Sequence, residues 1–221
     1  MSNINNYVPD DVYIHSHQSF GGGVPIWRHQ PKYRMVGGLL TSTFQNGELL
    51  HAASPVFYDE KLHVAKILKC FKITAVATSG SNTLITVSNK FATPSMYVGM
   101  NVMVAPSTIT GTGKGALVTA VDSTSVANSY VITVVTTAID TPVVGGFIVE
   151  AASAGSAVAM YCAPSTLLAN DLLIGDQNTV SIVSKEPLSL YRNSMPDLPD
   201  VVLDNILKTN PLIEFEYLPE L

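Results

Sequence analysis

Two stretches of the chain share a residue pattern at a nearly constant offset, and this repeat constrains the fold more than any other feature. We name them the first unit (residues 72–104) and the second unit (residues 117–149). The offset between corresponding residues is 45 to 47 positions, as for the pairs Thr74 and Thr119, Ile85 and Ile132, and Gly99 and Gly145. Self-similarity of this kind sets the architecture before any local pattern does.

Each unit contains three segments rich in Val, Ile and Thr, separated by short turns of small polar residues. These segments are 72–76, 84–87 and 97–104 in the first unit, and 117–121, 130–134 and 143–149 in the second unit. β-Branched residues favour strands, so each unit is predicted to be a three-stranded sheet with open edges and one apolar face. Two such units can cover their open edges and their apolar faces by closing into a small β-barrel or sandwich. The alternative is that both are ordinary hairpins of one sheet and their similarity is accidental.

The composition supports a β-rich structural protein. Charged residues make up only 13% of the 221 residues, about half of the usual share, and the formal net charge is −5. Lys and Arg form no stripe, and no apolar run reaches the roughly 18 residues of a membrane span, so neither nucleic-acid nor membrane binding is expected. The start of the sequence lacks a basic region followed by an apolar one, so we expect no signal peptide and synthesis in a cytoplasm.

Residues 1–38 are predicted to be an extended N-terminal docking arm. They interleave aromatic and basic residues with Gly and Pro, and they show no sustained strand or helix period. Trp, Tyr and Arg are the preferred anchors of protein interfaces. The candidate contacts with a partner are Tyr13, Phe20, Trp27, Arg28, Tyr33 and Arg34. The alternative is a disordered tail with scattered aromatic residues.

Two further regions complete the predicted organisation: a β body over residues 39–190, and a C-terminal helix with a closing strand over residues 191–221. Apolar residues at helical spacing follow Pro199 and Asp200, which suit a first helical turn. Residues 212–218 alternate as a strand after Pro211. The predicted fold is therefore mainly β, with an extended N-terminal arm and one short C-terminal helix.

Sites for chemistry were sought and none is predicted, so neither a cofactor nor a metal is expected and the chain is predicted not to be an enzyme. His15 and His17 with His29 could hold a metal, but no Asp, Glu or Cys stands at a matching spacing. Residues 111–115 resemble a phosphate loop but lack its spacing, and we interpret them as a flexible β-connection. Asp59 with Glu60 is interpreted as a turn and not as a catalytic pair.

Cys70 and Cys162 are predicted to be free buried thiols, and the alternative for them is a disulfide.

The order of four stretches resembles the head fibre or capsid decoration family of tailed bacteriophages. They are Ala53-Ser54-Pro55-Val56 with its following strand, the two units with Gly113-Lys114-Gly115-Ala116 before the second, residues 167–175, and Pro199-Asp200-Val201-Val202 through Phe215. The resemblance implies a structural protein on the capsid exterior of a virion, made in the bacterial host cytoplasm. It also implies no enzymatic activity, self-association as a dimer or trimer, and contact with the major capsid protein or other virion proteins.

Two other classes of function remain open. A glycan- or host-surface-binding β module of a virion would be expected to expose aromatic residues in its turns, and the turns of the two units lack them. A surface hydrolase would need a buried pair of carboxyl groups in a cleft.

Overall fold

The computed structural model describes residues 26–28, 33–42, 44–90, 93–175, 179–183 and 187–216. One α-helix lies in these ranges, α1 (Asp200–Thr209), together with a 3₁₀ helix at Thr136–Ala138. No helix in the same ranges has both the length and the apolar character needed to cross a membrane. The strands are β1 (Tyr33–Leu40), β2 (Leu49–Leu50), β3 (Pro55–Asp59), β4 (Val64–Ile67), β5 (Cys70–Ser79), β6 (Asn82–Ser88), β7 (Asn101–Val104), β8 (Thr112–Leu117), β9 (Ala120–Asp122), β10 (Ser129–Val135), β11 (Phe147–Glu150), β12 (Gly155–Ala159), β13 (Thr166–Leu167), β14 (Leu172–Leu173), β15 (Thr179–Val183), β16 (Leu188–Tyr191) and β17 (Ile213–Glu216).

In the structure the two units extend to residues 69–104 and 112–150, and with β12 they form one eight-stranded sheet that curls into a nearly closed barrel. Its strand order is β12-β8-β7-β11-β5-β6-β10-β9. β9 ends this order, and β8 stands second from its other end. Because only Val118 and Thr119 separate β8 from β9, these two form one bent strand and the sheet returns to itself. Closure covers the strand edges that a single three-stranded unit would expose.

Strand pairing relates the two units by an approximate two-fold axis. In the first unit β5 pairs with β6 and with β11. In the second unit the bent strand β8–β9 makes the corresponding pairs, through β9 with β10 and through β8 with β7. Where the units meet, corresponding residues pair with each other: Ile85 with Ile132 between β6 and β10, and Met103 with Val149 between β7 and β11. The prediction of two similar three-strand units is confirmed.

Local irregularities repeat as well. The Thr74 hydroxyl donates to the Thr86 carbonyl (3.2 Å), and the Thr119 hydroxyl donates to the Thr133 carbonyl (3.0 Å). Gly99 and Gly145 have φ of 95° and 86°, a backbone conformation that favours glycine. Their N–H groups donate to corresponding carbonyls, those of Val118 and Ile73, both at 2.9 Å. Matching bends therefore close both units in the same way.

The barrel core consists of side chains that alternate along the strands. In β6 every second side chain is buried, as the period of two requires for a strand with one face on a core. The buried members of this cluster are Phe71, Ile73, Ile85, Val87, Met96, Met100, Val102, Ala116, Val118, Ile132, Val134, Ile139 and Ile148. Both units contribute to one core, so either unit alone, as an open sheet, would expose these apolar side chains to water.

The remaining strands form an outer layer beside the first unit. A five-stranded sheet has the order β13-β3-β4-β1-β15, and β4 leads directly into β5 of the barrel. Helix α1 buries Val202 and Ile206 in a second apolar cluster, and β17 pairs in parallel with β16. The predicted C-terminal helix and the closing strand are both present.

Two sequence-based boundaries need correction. The predicted end of the arm at residue 38 falls inside β1, whose backbone pairs with β15 and β4. The predicted flexible connection at residues 111–115 overlaps β8. Gly115 is required there because a Cβ atom would lie 2.4 Å from the carbonyl oxygen of Ser153. The small residues of this stretch therefore allow β12 to approach closely and do not provide a phosphate loop.

The turn interpreted at Asp59 is confirmed, since its carboxylate accepts the N–H groups of Lys61 and Leu62.

Candidate functional site

The part of the predicted arm that the structure describes is held against the chain's own body. Trp27 forms an isolated antiparallel bridge with Leu190, and the N–H of Arg28 donates to the Ser189 carbonyl (3.0 Å). The Trp27 side chain is only 9% exposed, and its indole N–H donates to the Ala169 carbonyl at 3.1 Å. Trp27 therefore anchors the N-terminal segment internally and offers little area to a second protein, contrary to the docking contact predicted for it.

Arg28 provides the second attachment. Its guanidinium lies 2.6 Å from the Glu216 carboxylate of β17, and the side chain is 51% exposed. The hydrogen bond and charge of Glu216 raise the pKa of Arg28. The N-terminal segment is thus tied to both strands of the β16–β17 pair.

The other predicted contacts are placed less fully. Tyr33 and Arg34 begin β1, where their backbones pair with Val183 and Ile182. Tyr13 and Phe20 lie outside the described residues, and so do His15, His17 and His29. Among the described residues, no three His, Cys, Asp or Glu side chains are grouped so that they could hold a metal ion.

A buried charged cluster lies where the outer layer meets the barrel. Lys69 is completely buried, and its ammonium lies 4.3 Å from the centre of the Phe44 ring and 4.7 Å from that of Tyr97. Glu150 is adjacent across the strands, since its N–H donates to the Lys69 carbonyl (3.0 Å). Neither Lys69 Nζ nor Glu150 Oε2 has a hydrogen-bond partner among the described residues. Such groups are costly to bury, so the cluster is a specific feature of the junction between the outer layer and the barrel, which we call the seam.

Glu48 completes the cluster and connects the two layers. Its carboxylate accepts the N–H of Ser95 in the barrel (2.7 Å) and the N–H of Gln45 in the outer layer (3.2 Å). Burial lowers the pKa of Lys69, and the carboxylates of Glu48 and Glu150 oppose that shift. Burial raises the pKa of Glu150 to about 7, although Lys69 opposes it. The arrangement holds charge that depends on pH, and all three of its side chains, Lys69, Glu150 and Glu48, are buried.

The sequence contains a signal for this cluster that was missed. A period of two relates Lys69 to Ala65 and Ile67 of β4, both of which are buried, although β4 itself ends at Ile67. A lysine on a buried face needs carboxylates nearby, and Glu48 and Glu150 are separated from it by 21 and 81 positions. Because these separations are large, the sequence pattern around Lys69 does not identify its two carboxylate partners.

Two of the grooves on the described surface have linings that suit different ligands. One, of about 420 Å³, is lined mostly by small and apolar residues: Lys114–Leu117, Thr119, Val135, Thr137, Ala138 and residues 154–156. The other, of about 560 Å³, lies between the 105–110 loop and α1, and Asp200, Asp204 and Asn205 line it beside Phe147. The first groove suits an apolar segment, and the second suits a polar ligand.

The two cysteines are free and buried, as predicted. Burial raises the pKa of Cys162 to about 12 and also raises that of Cys70. Both thiols are therefore protonated near neutral pH and unreactive as nucleophiles.

Comparison with known proteins found no matching family model, no matching curated protein and no matching solved structure.

Proposed function

We propose that the chain is a non-enzymatic structural subunit of a bacteriophage virion, a head fibre or capsid decoration protein on the capsid exterior. It self-associates as a dimer or trimer, contacts the major capsid protein or other virion proteins, and is made in the bacterial host cytoplasm. The observation that carries this proposal is the attachment of the N-terminal segment at Trp27 and Arg28. A segment attached to the β body at these two residues would connect residues 1–25, which we call the tether, to that body.

The surface of the body supports the same role. The chain has few charges for its size, and its exposed residues include large apolar side chains such as Val143 and Val144. The turns of the barrel contain Ser, Thr, Gly and Asn. Surfaces of this kind are compatible with packing in a symmetric assembly, where charge repulsion between identical neighbours would be a disadvantage.

The test is co-sedimentation of the full-length protein with capsids assembled from the major capsid protein of the phage that carries this gene. Deleting residues 1–38 would remove Trp27 and most of β1, so substitutions within the tether are preferable. Tyr13→Ala with Phe20→Ala should weaken capsid binding by about tenfold or more, as loss of aromatic anchors does. Asn5→Ala with Asn6→Ala is the matched control and should bind normally. Failure of the unmodified protein to sediment with capsids would overturn the proposal.

The polar groove beside α1 favours a second candidate, a glycan-binding β module of a virion. Carboxylates of Asp200 and Asp204, the Asn205 side chain and the Phe147 ring line the same groove of about 560 Å³. Hydroxyl-rich ligands are bound by planar polar side chains combined with an apolar face. A glycan array probed with the unmodified protein and with Asp204→Ala tests this role, and binding that is unaffected by the substitution, or absent, would argue against it.

A further inference from the structure

The approximate two-fold axis gives each surface of the first unit a counterpart on the second. In the first unit, residues 195–198 cover the region beside the start of β5 and the end of β6. Met195 and Leu198 are 3% and 1% exposed, in the same apolar cluster as Cys70. Asp197 Oδ2 lies 3.0 Å from Nζ of Lys90, just after β6. This surface is therefore a binding site that the chain fills with its own apolar and acidic segment.

In the second unit the corresponding region is the open groove of about 420 Å³. An offset of 45 relates Cys70 to Gly115, and an offset of 47 relates Lys90 to Thr137. Leu117 and Val135 in its lining are 48% and 41% exposed. No described segment covers this groove as residues 195–198 cover its counterpart.

A positive charge stands at the same place in both regions. Lys90 supplies it in the first unit, where it meets Asp197. In the second unit the ammonium of Lys114 reaches the carbonyl of Thr137, the counterpart of Lys90, at 3.4 Å. The open groove therefore combines apolar walls with a cation, and it is complementary to an apolar segment that carries one carboxylate.

The sequence contains a second segment of this chemistry. The segment that covers the first unit is Met195-Pro196-Asp197-Leu198, and the chain also has Leu218-Pro219-Glu220-Leu221. Both have an apolar residue, a proline, an acidic residue and a leucine in the same order. Residues 218–221 lie outside the described residues, so their site is open to assignment by chemistry.

We propose that residues 218–221 of one copy bind the open groove of a second copy, with Leu218 and Leu221 on its apolar wall and Glu220 on Lys114. We assign the contact to a second copy because the last described residue, Glu216, lies beside the chain that leads to the filled site: the Arg192 N–H donates to the Glu216 carbonyl at 2.7 Å. Leu218 is two positions further on, and Met195 is three positions after Arg192. Two copies related by a two-fold axis would exchange this segment in two equal contacts.

This inference rests on the self-association part of the proposed function and names its surface. The experiment is light scattering during size-exclusion chromatography of the full-length protein and its variants over a range of concentrations. Leu218→Asp with Leu221→Asp, and separately Leu117→Asp in the groove, should each raise the dissociation constant for self-association about tenfold or more. Leu62→Asp is the matched control, since Leu62 is 71% exposed in a turn away from the groove.

A charge exchange separates a specific contact from loss of folding. Lys114→Glu alone should weaken self-association, and Lys114→Glu combined with Glu220→Lys should restore it, because the ion pair forms again with reversed polarity. An unmodified protein that is monomeric throughout, an oligomer that survives both sets of Leu→Asp variants, or absence of rescue would overturn the inference. Capsid binding that depends on Tyr13 and Phe20 does not require this groove, so the two proposals fail separately.

Discussion

In the first unit Lys69 is completely buried, whereas its counterpart Lys114 in the second unit is partly exposed and binds a backbone carbonyl. The pairing of β5 with β11 corresponds to that of β8 with β7, although β8 also pairs with β12 on its other side. The outer layer covers the first unit and leaves part of the second unit open. Duplication of a strand pattern thus determined the barrel, and the flanking chain determined which of its surfaces are core and which are available to partners.

Phe71 and its counterpart Ala116 give the largest expected effect. Both are buried in the barrel cluster, but the first unit supplies a phenyl ring where the second supplies a methyl group. Phe71→Ala should lower the free energy of unfolding by about 3–5 kcal/mol, since it removes a large buried side chain and leaves a cavity. Urea unfolding followed by circular dichroism measures this loss. Leu117→Ala in the second unit is the control and should cost under about 1 kcal/mol, because Leu117 is 48% exposed. Similar costs at both positions would contradict the placement of Phe71 inside the barrel core and of Leu117 outside it.

Glu150, at the end of the second unit, gives the next effect, because its counterpart in the first unit is the uncharged Val104. Burial raises the pKa of Glu150 to about 7 from its ordinary value of 4.5. The folded state therefore binds more protons than the unfolded state in this window, and the free energy of unfolding falls as pH rises from 4.5 to about 7. Lys69 and Glu48 are the charged groups that act on this carboxyl.

Glu150→Gln should remove this pH dependence, which amounts to about 1–3 kcal/mol across the window. The measurement is urea unfolding at several pH values between 4.5 and 7. Glu214→Gln is the control, since Glu214 lies exposed on β17. If the free energy of unfolding of Glu150→Gln still falls with rising pH, the pH dependence belongs to other groups. The buried cluster would then not control the stability of the seam.

The repeat made the barrel predictable, whereas the seam and the grooves depend on contacts between residues that lie far apart in sequence. Pairs such as Thr74 and Thr119 could be aligned because β-branched residues and turns recur in order. Trp27 was assigned to a partner because interface anchors and buried anchors have the same chemistry, and only the position of Ala169 distinguishes them. The burial of Lys69 was missed because Glu48 and Glu150 come from distant segments. A sequence pattern gives the face of a strand, but it does not give what covers that face.

The smallest expected effect tests the equivalence of the units most directly. Thr74 and Thr119 donate from corresponding bends to corresponding carbonyls, at 3.2 and 3.0 Å. Thr→Val at either position keeps the branched shape and removes one hydrogen bond at an exposed site, so each should cost about 0.5–1 kcal/mol. The two losses should be equal within about 0.5 kcal/mol and should add in the double variant, as for independent sites. Thermal unfolding of the single and double variants provides the measurement. A loss at only one of the two bends would show that the units share their strand pairing but not the interactions that hold it, and the duplication would then explain topology alone.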